Sequence, residues 1–180
     1  MNIIGRVLVI ALLAVLSPSV GAAQDSAQAM RDLRVAFLSS SADSHGFKPT
    51  KENPRVFGVA MDWPVDGTTA TIVSALNGSA SLYTTSTFGI IGGVGHESVR
   101  LAAQRFVRTA EAYHDAAVPT VTYPYPPKGK VRFYLRTFRD VRVIEADAAT
   151  VSSPSGQFSG LFRAGQAVLT ELRKVVEAKR

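Results

Sequence analysis

Cysteine is absent from the 180 residues. That excludes a disulfide framework, thiol nucleophiles, Cys-ligated zinc or iron–sulfur centres, and a lipid anchor of the bacterial lipoprotein kind. Histidine is scarce, with His45, His96 and His114 the whole supply, and Trp63 is the lone tryptophan. A Ser-His-Asp triad or a histidine-bearing metal centre must draw on those three imidazoles. No apolar run reaches the roughly 20 residues that span a bilayer. With 46% hydrophobic and 19% charged residues, the chain is too apolar and too weakly charged to be disordered.

The longest apolar run, Val7 to Leu16, follows Arg6 and precedes Ser17-Pro18 and the small residues Val20-Gly21-Ala22-Ala23. This is the pattern of a cleaved signal peptide over residues 1–23. It predicts a periplasmic or secreted protein with no stable membrane span after processing; a start at Met30 would instead leave the chain cytoplasmic. Residues 24–180 suit a single domain with one core.

Hydrophobic periodicity predicts a helix over Asp25–Leu38, with Met30, Leu33, Phe37 and Leu38 on its apolar face. A polar loop, Ser39–Pro54, follows. Three strands are expected at Arg55–Trp63, Thr68–Leu76 and Ser79–Phe88, with Asn77-Gly78 forming a type I′ hairpin turn. A second helix is expected over His96–Ala117, and Pro119 and Tyr123-Pro124-Tyr125-Pro126-Pro127 mark an extended connector. Strands over Val131–Phe138 and Val141–Ala146 and a helix over Gln157–Val176 complete the order α-βββ-α-ββ-α. The expected fold is α+β, a two-layer sandwich on a largely antiparallel five-stranded sheet.

Three segments carry a resemblance: Asn77-Gly78-Ser79-Ala80-Ser81-Leu82-Tyr83, Ile91-Gly92-Gly93-Val94-Gly95-His96-Glu97-Ser98-Val99-Arg100, and Gly129-Lys130-Val131-Arg132-Phe133-Tyr134. Together they are similar to a group of bacterial proteins in which a DGTASLY-like hairpin precedes a GG-x-G-H-E-x-V-R helix start and a later RFY strand. The resemblance covers most of the chain from about Val56 and implies no catalytic residue. The element order is also loosely similar to that of profilin-like and roadblock-like domains, whose strands split two and three where these split three and two.

Gly92, Gly93 and Gly95 ahead of His96 and Glu97 place a flexible loop at a helix start, a geometry able to hold an anion. The spacing is neither G-x-G-x-x-G nor a P-loop, and Glu97 brings negative charge to the place a phosphate would occupy. The glycines therefore read as backbone packing and turn residues, and no cofactor is expected. Glu111 and His114 share a helix face at i and i+3, but a single copy of that element does not make a metal site, and Arg100 breaks H-E-x-x-H. Asp43 and His45 in the loop, and the carboxylates Asp62, Asp66 and Glu97, reach a common site only if the fold brings them together. No serine occupies G-x-S-x-G. Trp63, Tyr123 and Tyr125, each beside a proline, are candidates for a shallow groove.

Charge is the more informative signal. The formal net charge is +6, and beyond the leader the surplus lies in one segment. Lys128, Lys130, Arg132, Arg136, Arg139 and Arg142 stand there against the single acid Asp140. Strand alternation puts Lys128, Lys130, Arg132, Tyr134 and Arg136 on one face. That strip suits an anionic surface, an acidic glycan or an acidic protein partner; export argues against nucleic acid, and a homodimer is a further option. The sequence thus reads as an exported, non-catalytic binding or interaction module, with a small periplasmic hydrolase assembled only in the fold as the alternative.

Overall fold

A computed structural model describes residues 20–178. Helix α1 spans Val20–Ser39 and is followed by strands β1 (Val56–Val65), β2 (Thr68–Ala75), β3 (Ala80–Thr84) and β4 (Gly89–Ile90). Helix α2 (Glu97–Ala112) leads through a 3-10 turn to β5 (Val118–Thr120), β6 (Lys130–Thr137) and β7 (Val141–Asp147), and the chain ends on α3 (Ala148–Ser152) and α4 (Ser159–Glu177). Val20–Ala23 begin α1; the rest of the leader expected over residues 1–23 lies outside the described residues. No helix among the described residues is long and apolar enough to cross a membrane.

The α+β class holds, with four α-helices among the described residues on one antiparallel sheet in the order β4-β3-β2-β1-β6-β7-β5. The expected strand count is corrected from five to seven. Both additions are edge strands of two and three residues, β4 in the glycine-rich stretch and β5 around Pro119. An edge strand is paired on one side only, so it tolerates Gly and Pro, and it is too short to display a period of two.

The two-layer expectation is also corrected, because the sheet is covered on both faces. Val59, Met61, Ile72, Leu82, Phe133 and Leu135 meet the buried sides of α2 and α4, including Val99, Phe106, Leu161 and Leu172. On the opposite face Ala60, Val73, Tyr83 and Tyr134 pack against Met30, Leu33, Phe37 and Leu38 of α1. Strand residues alternate between faces, so apolar side chains at both parities of the central strands require a cover on each side.

The turns differ from expectation in an instructive way. Asp66 and Gly67 both have positive φ, 49° and 76°, and join the paired residues Val65 and Thr68; this two-residue connection has the type I′ signature. At Asn77-Gly78 only Gly78 is left-handed, at 81°. Gly78 N donates to Ala75 O and Ala75 N donates to Ser79 O, the longer hairpin in which a left-handed glycine makes a bulge. A Cβ on Gly78 would also come within 2.9 Å of Arg100 Cβ.

Candidate functional site

The glycine loop is structural at its centre. Gly92 sits at φ 84° and Gly93 is buried. A Cβ on Gly93 would lie 2.6 Å from Val99 Cγ1 and 2.7 Å from Leu172 Cδ2, whereas one on Gly95 would meet nothing within 4 Å. Gly93→Ala should therefore destabilise by about 1–3 kcal/mol through overpacking. Gly95→Ala should stay within about 0.5 kcal/mol of the parent, as open surface positions do. Parallel urea titrations check this pair, and equal midpoints would remove the packing explanation. His96 precedes α2 without a side-chain cap bond, and exposed Glu97 lies in the first turn, where its charge suits the helix dipole.

The other candidates disperse. Glu111 turns toward the start of β1, where its carboxylate accepts from Val56 N (2.7 Å), Arg55 N (3.0 Å) and Arg55 Nε (2.6 Å). His114 Nδ1 lies 2.9 Å from Asp115 Oδ1 instead. No group of three His, Asp or Glu residues placed to hold a metal occurs among the described residues. Asp62 is fully buried against Arg34, away from Asp66 and Glu97, which are exposed. Trp63 packs edge-on to Phe162 at 5.7 Å, Tyr123 packs edge-on to Tyr134 at 5.9 Å, and the Tyr125 ring lies 4.2 Å from the Arg34 guanidinium. Trp63 and Tyr125 thus pack against neighbouring side chains, whereas Tyr123 also lines a surface depression. His45 Nε2 lies 2.9 Å from Ser40 Oγ, a nucleophile–base distance, but among the described residues no acid orients its other nitrogen.

The basic hairpin divides into cations that serve the fold and cations that remain available. Lys130 Nζ pairs with Asp147 Oδ1 at 2.7 Å, and Arg132 Nε donates to Glu145 Oε2 at 2.7 Å. Arg132 Nη1 also donates to the carbonyls of Pro124 (2.9 Å) and Tyr125 (3.1 Å), and the Tyr134 hydroxyl donates to Pro124 O at 2.6 Å. The middle of the strip thus fastens the chain's own Tyr-Pro connector. The strip expected to face outward is closed by α1 and that connector, and Tyr134 and Arg136 are buried. Arg142 sits on the other face, donating to Ala117 O through Nε (3.0 Å) and Nη2 (2.8 Å). Lys128 and Arg139 stay exposed, and neither side chain has a hydrogen-bond or ion-pair partner among the described residues.

Two depressions meet at the β6–β7 turn. One, of about 270 Å³, is lined by Arg55, Arg139, Arg142, His114 and the single acid Asp140, with Pro54, Thr137 and Phe138. Arg55 Nη1 and His114 Nδ1 both reach Asp115 Oδ1, at 2.8 and 2.9 Å. The His114 hydrogen bond, and then the Arg55 one, hold the Asp115 carboxyl below the usual carboxylate range. Asp115 therefore remains ionised in mild acid, and its contribution is lost only as pH falls through that lowered pKa. The second depression, of about 410 Å³, shares Thr137, Phe138, Arg139 and Asp140 with the first and is floored by Arg136 beside Ser39, Ser40 and Ser41.

Comparison with family models, with curated proteins and with solved structures gave no significant match to this chain. The functional reading accordingly rests on geometry and charge. Sequence reasoning had singled out Arg136, Arg139 and Arg142, and the fold does bring them to one turn. It missed Arg55 and Ser39–Ser41, which lie far away in sequence and belong to no motif.

Proposed function

We propose that this chain is an exported binding module that takes an anionic group of an acidic glycan or protein at the β6–β7 turn, without catalysis. The observation that carries the reading is the convergence of Arg55, Arg139 and Arg142 with His114 on one concave site whose lining includes a single carboxylate. Arg139 in particular is exposed and uncommitted. Guanidinium groups bind carboxylate, sulfate and phosphate with paired N–H donors, and a concave cationic surface concentrates anions. A depression suits a projecting acidic group better than a flat lipid surface. Export is supported by the leader pattern over residues 1–23.

Heparin affinity tests the reading. Arg139→Ala should elute at clearly lower salt than the parent, while Lys174→Ala, whose lysine is engaged with Glu171 on α4, should elute close to it. Equal retention of the two variants would overturn the assignment, because only non-specific charge would then be at work.

A further inference from the structure

The second depression differs from the first in having an apolar wall and a charge at its floor. Arg136 is 3% exposed, and no carboxylate among the described residues pairs with it. Its guanidinium carries five N–H donors. Only Nη1 is engaged, with Phe37 O and with Ser40 Oγ at 3.1 Å. The Nε atom is buried and has no acceptor, and Nη2 has no hydrogen-bond partner among the described residues. The Phe57 ring, 4.6 Å from the guanidinium carbon, and the C-terminal carbonyls of α1 offset part of the charge. They leave most of the donors unused. Burial, opposed in part by Tyr123, lowers the Arg136 pKa to about 10, so the group is charged throughout the physiological range. A buried cation without a carboxylate is costly and is rarely retained for stability.

The walls say what would complete it. Leu38, Phe57, Tyr123, Phe138 and Val141 give an apolar lining, and Val121, 92% exposed, stands at the rim. About 410 Å³ lies within the range of small-molecule sites, which are mostly apolar with a few convergent polar groups. We propose that this depression binds a small organic monoanion with an apolar body, its carboxylate accepting from Arg136 and the neighbouring serine hydroxyls while its hydrocarbon lies on the Tyr123 and Val141 wall. The inference deepens the anionic reading of the same turn by naming a ligand class, and it uses a different arginine.

Hexanoate, hexan-1-ol and inorganic sulfate, each titrated into the full processed chain and followed by calorimetry, test it. Hexanoate should bind at least about tenfold more tightly than hexan-1-ol or sulfate, the value of one charge-assisted hydrogen bond joined to apolar contact. Arg136→Met should erase the preference for hexanoate and at the same time raise the melting temperature of the free protein, since it removes an uncompensated buried charge. Val121→Asp, at an exposed position, should weaken hexanoate severalfold without changing the melting temperature. Arg142→Ala, at a residue that lines the outer depression and not this one, should lower heparin retention but leave hexanoate affinity within about twofold, which separates failure of this site from failure of the outer one. Equal affinity for hexanoate and hexan-1-ol, no saturable hexanoate binding, or an unchanged hexanoate affinity in a folded Arg136→Met protein would each overturn the proposal.

Discussion

Asp62→Ala should cost this protein about 3–5 kcal/mol of unfolding free energy, the usual penalty for removing one partner of a buried ion pair. Asp62 is fully buried and Arg34 is 2% exposed. Arg34 Nε donates to both carboxylate oxygens at 3.1 Å, Nη2 donates to Oδ2, and Thr71 Oγ1 donates to Oδ1 at 2.6 Å. The remaining guanidinium nitrogen, Nη1, reaches Tyr123 O at 2.8 Å. One arginine on α1 therefore ties together the sheet and the Tyr-Pro connector, and without Asp62 its charge would be stranded between layers. The double variant Arg34→Met, Asp62→Leu should recover most of the loss, because a packed apolar pair avoids desolvating two ions. Urea unfolding of the single and double variants measures both effects. A single variant within 1 kcal/mol of the parent, or a double variant no better than the single, would contradict this account.

Glu111→Ala should be the next most damaging change, at about 2–4 kcal/mol, since a buried donor left without an acceptor forfeits its full desolvation cost. Val56 is fully buried, and its N–H donates to the Glu111 carboxylate just before the irregularity in β1–β6 pairing between Val56 and Gly58. Where the ladder falters, a carboxylate from α2 supplies the missing acceptor. Glu111→Gln, which keeps one acceptor oxygen, should lose less than the alanine variant. Denaturant midpoints decide, and equal losses in the two variants would mean that side-chain volume matters more than the hydrogen bonds. The consequence extends to function, because Glu111 also anchors Arg55, one of the cations lining the outer depression. Glu111→Ala protein that remains folded should therefore also lose heparin retention.

These two interactions show where sequence reading stops. Met30, Leu33, Phe37 and Leu38 are legible as an apolar face of a helix, but nothing local states which side of the sheet they cover. Arg34, one residue from Leu33, has no local signature of its partner Asp62, and Glu111 at i−3 from His114 resembled a ligand pair more than a brace for β1. The candidate site was half legible. Arg136, Arg139 and Arg142 stood out by charge density, while Arg55 and the serines after α1 had no signal that would single them out among ordinary loop residues.

The amino-acid sequence by itself determined the α+β class, the apolar faces of α2 and α4, the central strands and the concentration of positive charge between Lys128 and Arg142. Each of these follows from periodicity or composition within a window of a few residues. The tertiary structure alone decided which cations are available. Arg132 is spent on the chain's own connector, and Arg136 is withdrawn to the floor of the second depression, its contact with Phe37 of α1 closing a separation of 99 residues. Side-chain exposure is set by what packs on top, and in this protein the cover comes from distant segments that strand alternation could not reveal.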